Sequence, residues 1–186
     1  MADNTPADDF PPLETERLVL RGLVLDDTDF VFRHFSDSEV TRFLLDEDPL
    51  TLRSQAEELI GTYLEPNGQT FNRWGIAQKA DGALIGTCGF HKWDKRHRKA
   101  EIGYDLAPEF WGRGLMAEAL REIIRHGFDR MQLNRIDALV YTENTRSARL
   151  LDKLSFQQEG LLRDYFFARG RYFDHAIYSV LKKNKA

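Results

Sequence analysis

The chain has 186 residues, 42% of them apolar and 30% charged, with a net charge of −4 and a pI near 5.8. That length suits one domain with a sizeable core. The acidic balance argues against a broad nucleic-acid surface, which needs a basic excess, and no run approaches the roughly 18 apolar residues of a membrane span.

Residues 1–12, MADNTPADDFPP, hold three of the six prolines and three aspartates, and they lack the basic and apolar regions of a signal peptide. They are expected to form a mobile arm, with residues 13–186 making a single domain. ERLVLRGLVL (16–25) alternates at first and predicts a strand. Asp26 and Asp29 then suit an N-cap and its acidic partner for a helix carrying Phe30, Val31, His34 and Phe35. A second helix is expected over 51–65, with Ala56, Leu59, Ile60 and Tyr63 at helical spacing. FNRWGIAQK, the turn ADG and ALIGTCGFHKW predict a hairpin, and KAEIGYDLA (99–107) is the next strand, reached through a charged turn. Cys88, the only cysteine, cannot form an intrachain disulfide; it fits a cytoplasmic location and an inert core position.

Beyond Gly114 a helix pattern places Met116, Leu120, Ile123, Ile124 and Phe128 on one face. NRIDALVY (134–141) is apolar enough for a central strand, and TENTRSARLLDKLSF (142–156) follows as a short helix with Leu150, Leu151 and Leu154 inward. Two strands around ARGR close the chain. The order is strand, two helices, three strands, helix, strand, helix, two strands. This is an α+β class, a mixed α/β layer with a largely antiparallel twisted sheet and helices on both faces.

EFWGRGLMAEAL (109–120) carries the most chemistry. A strand runs into a turn with two glycines, Gly112 and Gly114, and then a helix begins. A helix start leaves backbone N–H groups without partners at the positive end of the dipole. Glycines let a ligand approach closely, so the turn suits a pyrophosphate, with Arg113 adding charge at its edge. A tight turn with no ligand accounts for the same residues. The segment lacks the Lys-Ser/Thr of a Walker loop, and it is not a full G-x-G-x-x-G.

EIGYDLAPEFWGRGLMAEAL, followed by YTENTRSARLLDKLSF, resembles the acetyl-CoA site of the GNAT superfamily of N-acetyltransferases, nearest its RimJ/RimL-like branch, which acetylates ribosomal-protein N-termini. The resemblance spans roughly residues 14–182 and implies an acyl-CoA N-acyltransferase fold with acetyl-CoA as co-substrate. It also implies site roles. Backbone N–H groups from Trp111 through Gly112, Arg113, Gly114, Leu115 and Met116 to Ala117 would hold the CoA pyrophosphate. Leu106, with Ala107 after it, would polarise the thioester carbonyl through its backbone. Asn144 would meet the pantetheine arm, Ser147 would donate to the departing sulfur, and Lys153 and Arg149 would reach phosphates. Glu109 stands three residues before the first glycine, where the superfamily often has Gln or Arg, and is expected to point away; Ser155 replaces a glycine after the second helix.

No nucleophile and base pair stands out, so direct attack by an amine in a ternary complex is expected. Glu101 is the first candidate base and Asp105 the second, sharing a strand face; a surface ion pair with Arg98 or Lys99 is the plainer role for Glu101. Tyr104 and Tyr165 are possible acids or packing residues. His34, His91, His97, His126 and His175 show no metal spacing, and none is assigned a metal. The basic run Lys92 to Lys99 reads as a solvated hairpin tip. The expected acceptor is a protein or peptide N-terminal α-amine. A small-molecule amine such as a polyamine or antibiotic is the alternative, and a non-catalytic CoA-binding protein is a further one. Neither nucleic acid nor membrane is expected as a partner, and both monomer and homodimer fit.

Overall fold

The computed structural model describes residues 10–44, 48–64 and 70–184. Alternating burial makes the strands: a short β1 (Leu13–Glu14) precedes β2 (Leu18–Gly22), in which Leu18 and Leu20 are fully buried. β3 (Trp74–Gln78), β4 (Leu84–Asp94), β5 (Lys99–Leu106), β6 (Arg135–Tyr141), β7 (Gln157–Ala168) and β8 (Arg171–Leu181) complete one eight-stranded sheet. Its order is β1-β2-β3-β4-β5-β6-β8-β7. Neighbours are antiparallel throughout except β5 and β6, which are parallel. A parallel pair needs a crossover, and α4 (Leu115–Asp129) supplies it. The other helices are α1 (Thr28–Ser36), the four-residue α2 (Ser38–Thr41), α3 (Arg53–Leu64) and α5 (Thr145–Lys153).

Alternation along β5 assigns the helices to opposite faces. Ala100, Ile102 and Leu106 are buried in the main core with Leu115, Ala119, Leu120 and Ile123 of α4. Asp105 points the other way, against His34 of α1. A smaller core, Leu23, Val31, Phe35, Ala56 and Ile60, ties α1 to α3 on that second face. The expected mixed layer with helices on both faces is therefore the observed one.

Several local expectations are corrected. Residues 1–9 of the arm lie outside the described residues, but its end is packed. The Phe10 ring meets Trp74 and Trp93 edge-on, each at 5.7 Å, and the Pro11 carbonyl accepts the Trp74 indole N–H at 3.0 Å. The proline and aspartate content of the segment hid one aromatic anchor. Asp27, not Asp26, organises the start of α1: its carboxylate takes the Val24 N–H at 2.9 Å and pairs with Arg21 at 2.7 Å. Asp29 instead sits on the surface beside Arg53. Helix α3 starts at Arg53 because the Gln55 side chain accepts the Thr51 and Leu52 N–H groups, each at 2.8 Å. Helix α2 was not foreseen; Asp37 caps it by accepting from Glu39 N–H at 2.7 Å.

Candidate active site

Strands β5 and β6 pair only at Lys99–Arg135, Ala100–Ile136 and Glu101–Asp137. Both then run on without pairing to each other, β5 to Leu106 and β6 to Tyr141. The opening leads into a cavity of about 1060 Å³ whose walls include Tyr104, Leu106, Trp111, Ala138, Asn144 and Ser147.

At the end of β5 the chain makes a 3-10 turn, Pro108–Phe110, and then the glycine loop. Gly112 and Gly114 have φ of +75° and +77°, a left-handed backbone that only glycine adopts without strain. Gly114 is the N-cap of α4, and no side chain among the described residues caps that end. The orphan N–H groups of the first turn face the loop. A Cβ at Gly112 would meet nothing within 4 Å, so the space over the loop is open. The side chains of Leu115 and Met116 are buried in the core, leaving only their backbones for a ligand. Glu109 is exposed, and the Arg113 guanidinium lies 5.4 Å over the Phe110 ring.

Sequence reasoning missed the brace on this loop. Glu118, in the first turn of α4, accepts from Thr15 Oγ1 at 2.6 Å, from Arg17 N–H at 2.8 Å and from Arg17 Nε at 2.7 Å. Arg17 Nη1 also donates to the Arg113 carbonyl at 3.2 Å. The β1–β2 turn thus holds the glycine loop against α4. An acidic residue in a helix's first turn was a visible signal, but its partners lie about a hundred residues away in the chain.

The Leu106–Ala107 peptide is held from both sides. Ala107 N–H donates to the Ile85 carbonyl on β4 at 2.8 Å, and the Leu106 carbonyl accepts the Trp111 indole N–H at 2.7 Å. In an extended strand a residue's N–H and C=O point to the same side. Leu106 N–H therefore faces away from β4, into the opening.

Helix α5 forms the opposite wall. The Asn144 side-chain oxygen caps it by accepting Ser147 N–H at 3.1 Å. Ser147 Oγ lies 2.6 Å from the Tyr104 hydroxyl. Burial pushes the Tyr104 hydroxyl up to about 12, against the opposing pull of its bond to Ser147, so it stays protonated. Arg149, Lys153 and Arg146 also line the cavity, and the Arg146 guanidinium stacks on Trp111, 3.7 Å from the ring centre. Arg146 is the second residue missed; an exposed arginine in a helix's first turn gives no sequence signal of an aromatic partner. Helix α5 is shorter than 142–156 because Asn144 sets its start, and Leu150 lines the cavity while Leu151 and Leu154 are buried.

Glu101 stands at the last paired position of the opening and lines the cavity, its carboxylate 3.0 Å from Lys92 Nζ. Lys92, rather than Arg98 or Lys99, is its partner, because Lys92 lies on the adjacent strand. Asp137 is its register neighbour on β6; burial raises that carboxyl against the pull of Arg135, its ion-pair partner at 2.5 Å. Asp105 is buried and saturated. It accepts from His34 Nε2 at 2.6 Å, Thr87 N–H at 3.0 Å, Thr87 Oγ1 at 2.7 Å, and Arg73. Burial alone would raise its carboxyl, but Arg73 foremost, with His34 and Thr87, holds it well below the usual carboxylate range. A carboxylate with every lone pair engaged is a poor base. Tyr165 is absent from the cavity wall and packs on Phe166 at 5.0 Å. Cys88 is fully buried, which pushes its thiol up and makes it unreactive. Among the described residues no group of His, Cys, Asp and Glu could hold a metal, and no helix is long and apolar enough to cross a membrane.

Comparison with known proteins agrees with this architecture. The family model of the GNAT acetyltransferase domain matches residues 17–157. An uncharacterized N-acetyltransferase of Bacillus licheniformis, p20, is 46% identical over 176 residues, which cover 94% of this chain and 98% of that protein. Over 103 residues the chain is 37% identical to YdaF of Bacillus subtilis, provisionally named a ribosomal N-acetyltransferase; the match covers 55% of this chain and 56% of YdaF. The crystal structure of spermidine N-acetyltransferase from Vibrio cholerae with CoA and spermine superposes with a TM-score of 0.80 at 26% identity, covering 90% of this chain and 96% of that one. With the family model matching most of the chain and a close relative matching nearly all of it, the chain belongs to the GNAT acetyltransferase family and is an acetyl-CoA-dependent N-acetyltransferase.

Proposed function

We propose that acetyl-CoA lies along the β5–β6 opening and that its acetyl group passes directly to a primary amine, the α-amine of a protein or peptide N-terminus. The observation that carries this is the opening itself: Leu106 N–H faces it from β5 while the Ser147–Tyr104 pair stands on its wall. Bound acetyl-CoA supplies an activated carbonyl and a thiol leaving group with a pKa of about 8.5.

In this reading the backbone from Gly112 to Ala117 takes the pyrophosphate at the α4 N-terminus; the Trp111 N–H, expected to join them, is already donated to the Pro108 carbonyl at 3.1 Å. Arg149 and Lys153 lie on the same cavity wall and pair with phosphates. Asn144, whose oxygen caps α5, offers its amide N–H groups to the pantetheine arm. Leu106 N–H receives the carbonyl oxygen as charge grows on it. Ser147 Oγ donates to the sulfur, backed by the protonated Tyr104 hydroxyl.

The acceptor follows from the scarcity of bases. Asp105 is saturated and Glu101 is paired with Lys92, so the amine should arrive already partly neutral. An α-amine, with a pKa of about 7.7–8.0, meets that condition near neutral pH far better than a lysine at about 10.4. The likeness to YdaF supports this acceptor, as does the sequence resemblance to the RimJ/RimL-like branch, and the single buried thiol suits the cytoplasm. A second reading, a small polyamine acceptor, is favoured by the structural likeness to the Vibrio spermidine enzyme. Release of CoA thiol from acetyl-CoA, followed with N-terminal peptides and with spermidine as acceptors, separates the two. Turnover of spermidine without turnover of any peptide would replace the first reading by the second.

A further inference from the structure

Trp111 belongs to the glycine loop, yet its indole does not point to where a phosphate would sit. It reaches back to the end of β5 and donates to the Leu106 carbonyl at 2.7 Å. That carbonyl and the Leu106 N–H point to the same side of the strand, into the same opening. The two groups have opposite electrostatic effects there. The N–H attracts an oxygen that is gaining negative charge; a bare carbonyl oxygen beside it would repel that oxygen. An uncovered C=O would cancel much of what the N–H provides, because two adjacent dipoles at a partly buried wall are screened less than in bulk water.

We propose that Trp111 is a positioning residue for acetyl transfer: its indole N–H covers the Leu106 carbonyl, so that the acetyl oxygen meets the Leu106 N–H alone. This rests on the reading of Leu106 N–H as the acetyl-oxygen donor. Three further observations fit the role. The same peptide unit is pinned from the other side by Ala107 N–H on Ile85 at 2.8 Å, so covering the carbonyl also fixes the plane. The indole is held in turn by the Arg146 guanidinium, stacked 3.7 Å from its centre and carried on the helix that bears Ser147. The Trp111–Arg146 contact therefore spans the opening and sets the donor to the acetyl oxygen and the donor to the sulfur in one frame. Finally, Trp111 lines the cavity and is only partly buried, so it is not simply a core residue.

The test uses two probes on the intact protein, CoA and S-acetonyl-CoA, a stable ketone that places a carbonyl near the acetyl position. Calorimetry gives both dissociation constants for the wild type, Trp111→Phe and Arg146→Met. Wild-type protein is expected to bind the ketone more tightly than CoA. Trp111→Phe keeps an aromatic ring for Arg146 but removes the N–H. It should leave CoA affinity within about twofold while reducing the ketone preference by about tenfold, the size of one good hydrogen bond. Arg146→Met should reduce the preference by a smaller factor. A Trp111→Phe protein that keeps the full preference overturns the proposal alone. So does one that loses CoA affinity in parallel, because that marks a loop-packing role. Wild-type protein that binds both probes equally overturns the Leu106 assignment and the proposal with it.

Discussion

The hydroxyls of Tyr104 and Ser147 lie 2.6 Å apart, one on β5 and the other on α5, so a single hydrogen bond joins the two walls of the cleft. Burial keeps the tyrosine protonated, with its value pushed up to about 12. The serine is thus the exposed end of a two-hydroxyl relay, able to accept from Tyr104 while donating into the cavity.

If Ser147 donates to the leaving sulfur, Ser147→Ala should lower kcat by about ten- to hundredfold, equivalent to about 1–3 kcal/mol. Affinity for CoA should barely change. Tyr104→Phe should lower kcat by a smaller factor, because Ser147 remains. Steady-state kinetics with calorimetric titration separate the two effects, and full turnover in the serine variant would leave it only a place in the first turn of α5.

Gly112 has φ of +75° with open space above it. Gly112→Val should weaken CoA binding at least tenfold, since a β-branched residue disfavours that backbone and fills the space a pyrophosphate would use. Unchanged affinity by calorimetry would detach the loop from cofactor binding.

Ser155 follows α5 with φ of +65°, in a motif where Phe156 N–H bonds the Leu151 carbonyl at 3.0 Å and Ser155 N–H the Asp152 carbonyl at 3.1 Å. A left-handed non-glycine residue costs about 1 kcal/mol, so Ser155→Gly should stabilise the protein by up to that amount, less the greater freedom glycine gains in the unfolded chain. Urea unfolding measures it, and a clear loss of stability would contradict the strain.

Asp105 links α1, β3–β4 and β5 through His34, Arg73 and Thr87. Removing one partner from a buried ion pair costs about 3–5 kcal/mol, so Asp105→Asn should be destabilised by that order near neutral pH. The wild-type carboxyl is depressed in the folded state. Its contribution is therefore complete above the unfolded value of about 3.9 and is lost as pH falls below it. The stability gap between wild type and Asp105→Asn should narrow as pH falls below about 4. A gap that stays constant or widens with acid would contradict the assignment.

Much of the fold was legible because periodicity is local. Met116, Leu120, Ile123 and Phe128 mark α4 by spacing alone, and they are buried in the main core. The glycine turn was equally legible, since two positive-φ residues before a helix demand glycine. What the sequence hid depends on contacts between distant segments. Glu118 bonds Thr15 and Arg17, Trp111 bonds Leu106 while stacking on Arg146, and Asp105 collects donors from α1 and from beside β3. Asp105 looked like a base on spacing because Glu101 and Asp105 do share a strand face; only the packed network shows its lone pairs taken. Phe10 escaped notice because one aromatic among prolines and aspartates carries no period.

In the reading proposed above, this acetyltransferase brings no strong base of its own and so takes a weakly basic amine, the α-amine of a protein or peptide. The decisive experiment is kcat/KM for one short peptide in two forms, one with only its α-amine free and one with only a lysine ε-amine free, from pH 6.5 to 9. Their deprotonation costs differ by about 3.4 kcal/mol, from a gap of roughly 2.5 pKa units. Strong preference for the α-amine form is expected at neutral pH, with a rate that levels off above that amine's own pKa. Preference for the lysine form at neutral pH, or turnover of spermidine with neither peptide acetylated, would contradict it.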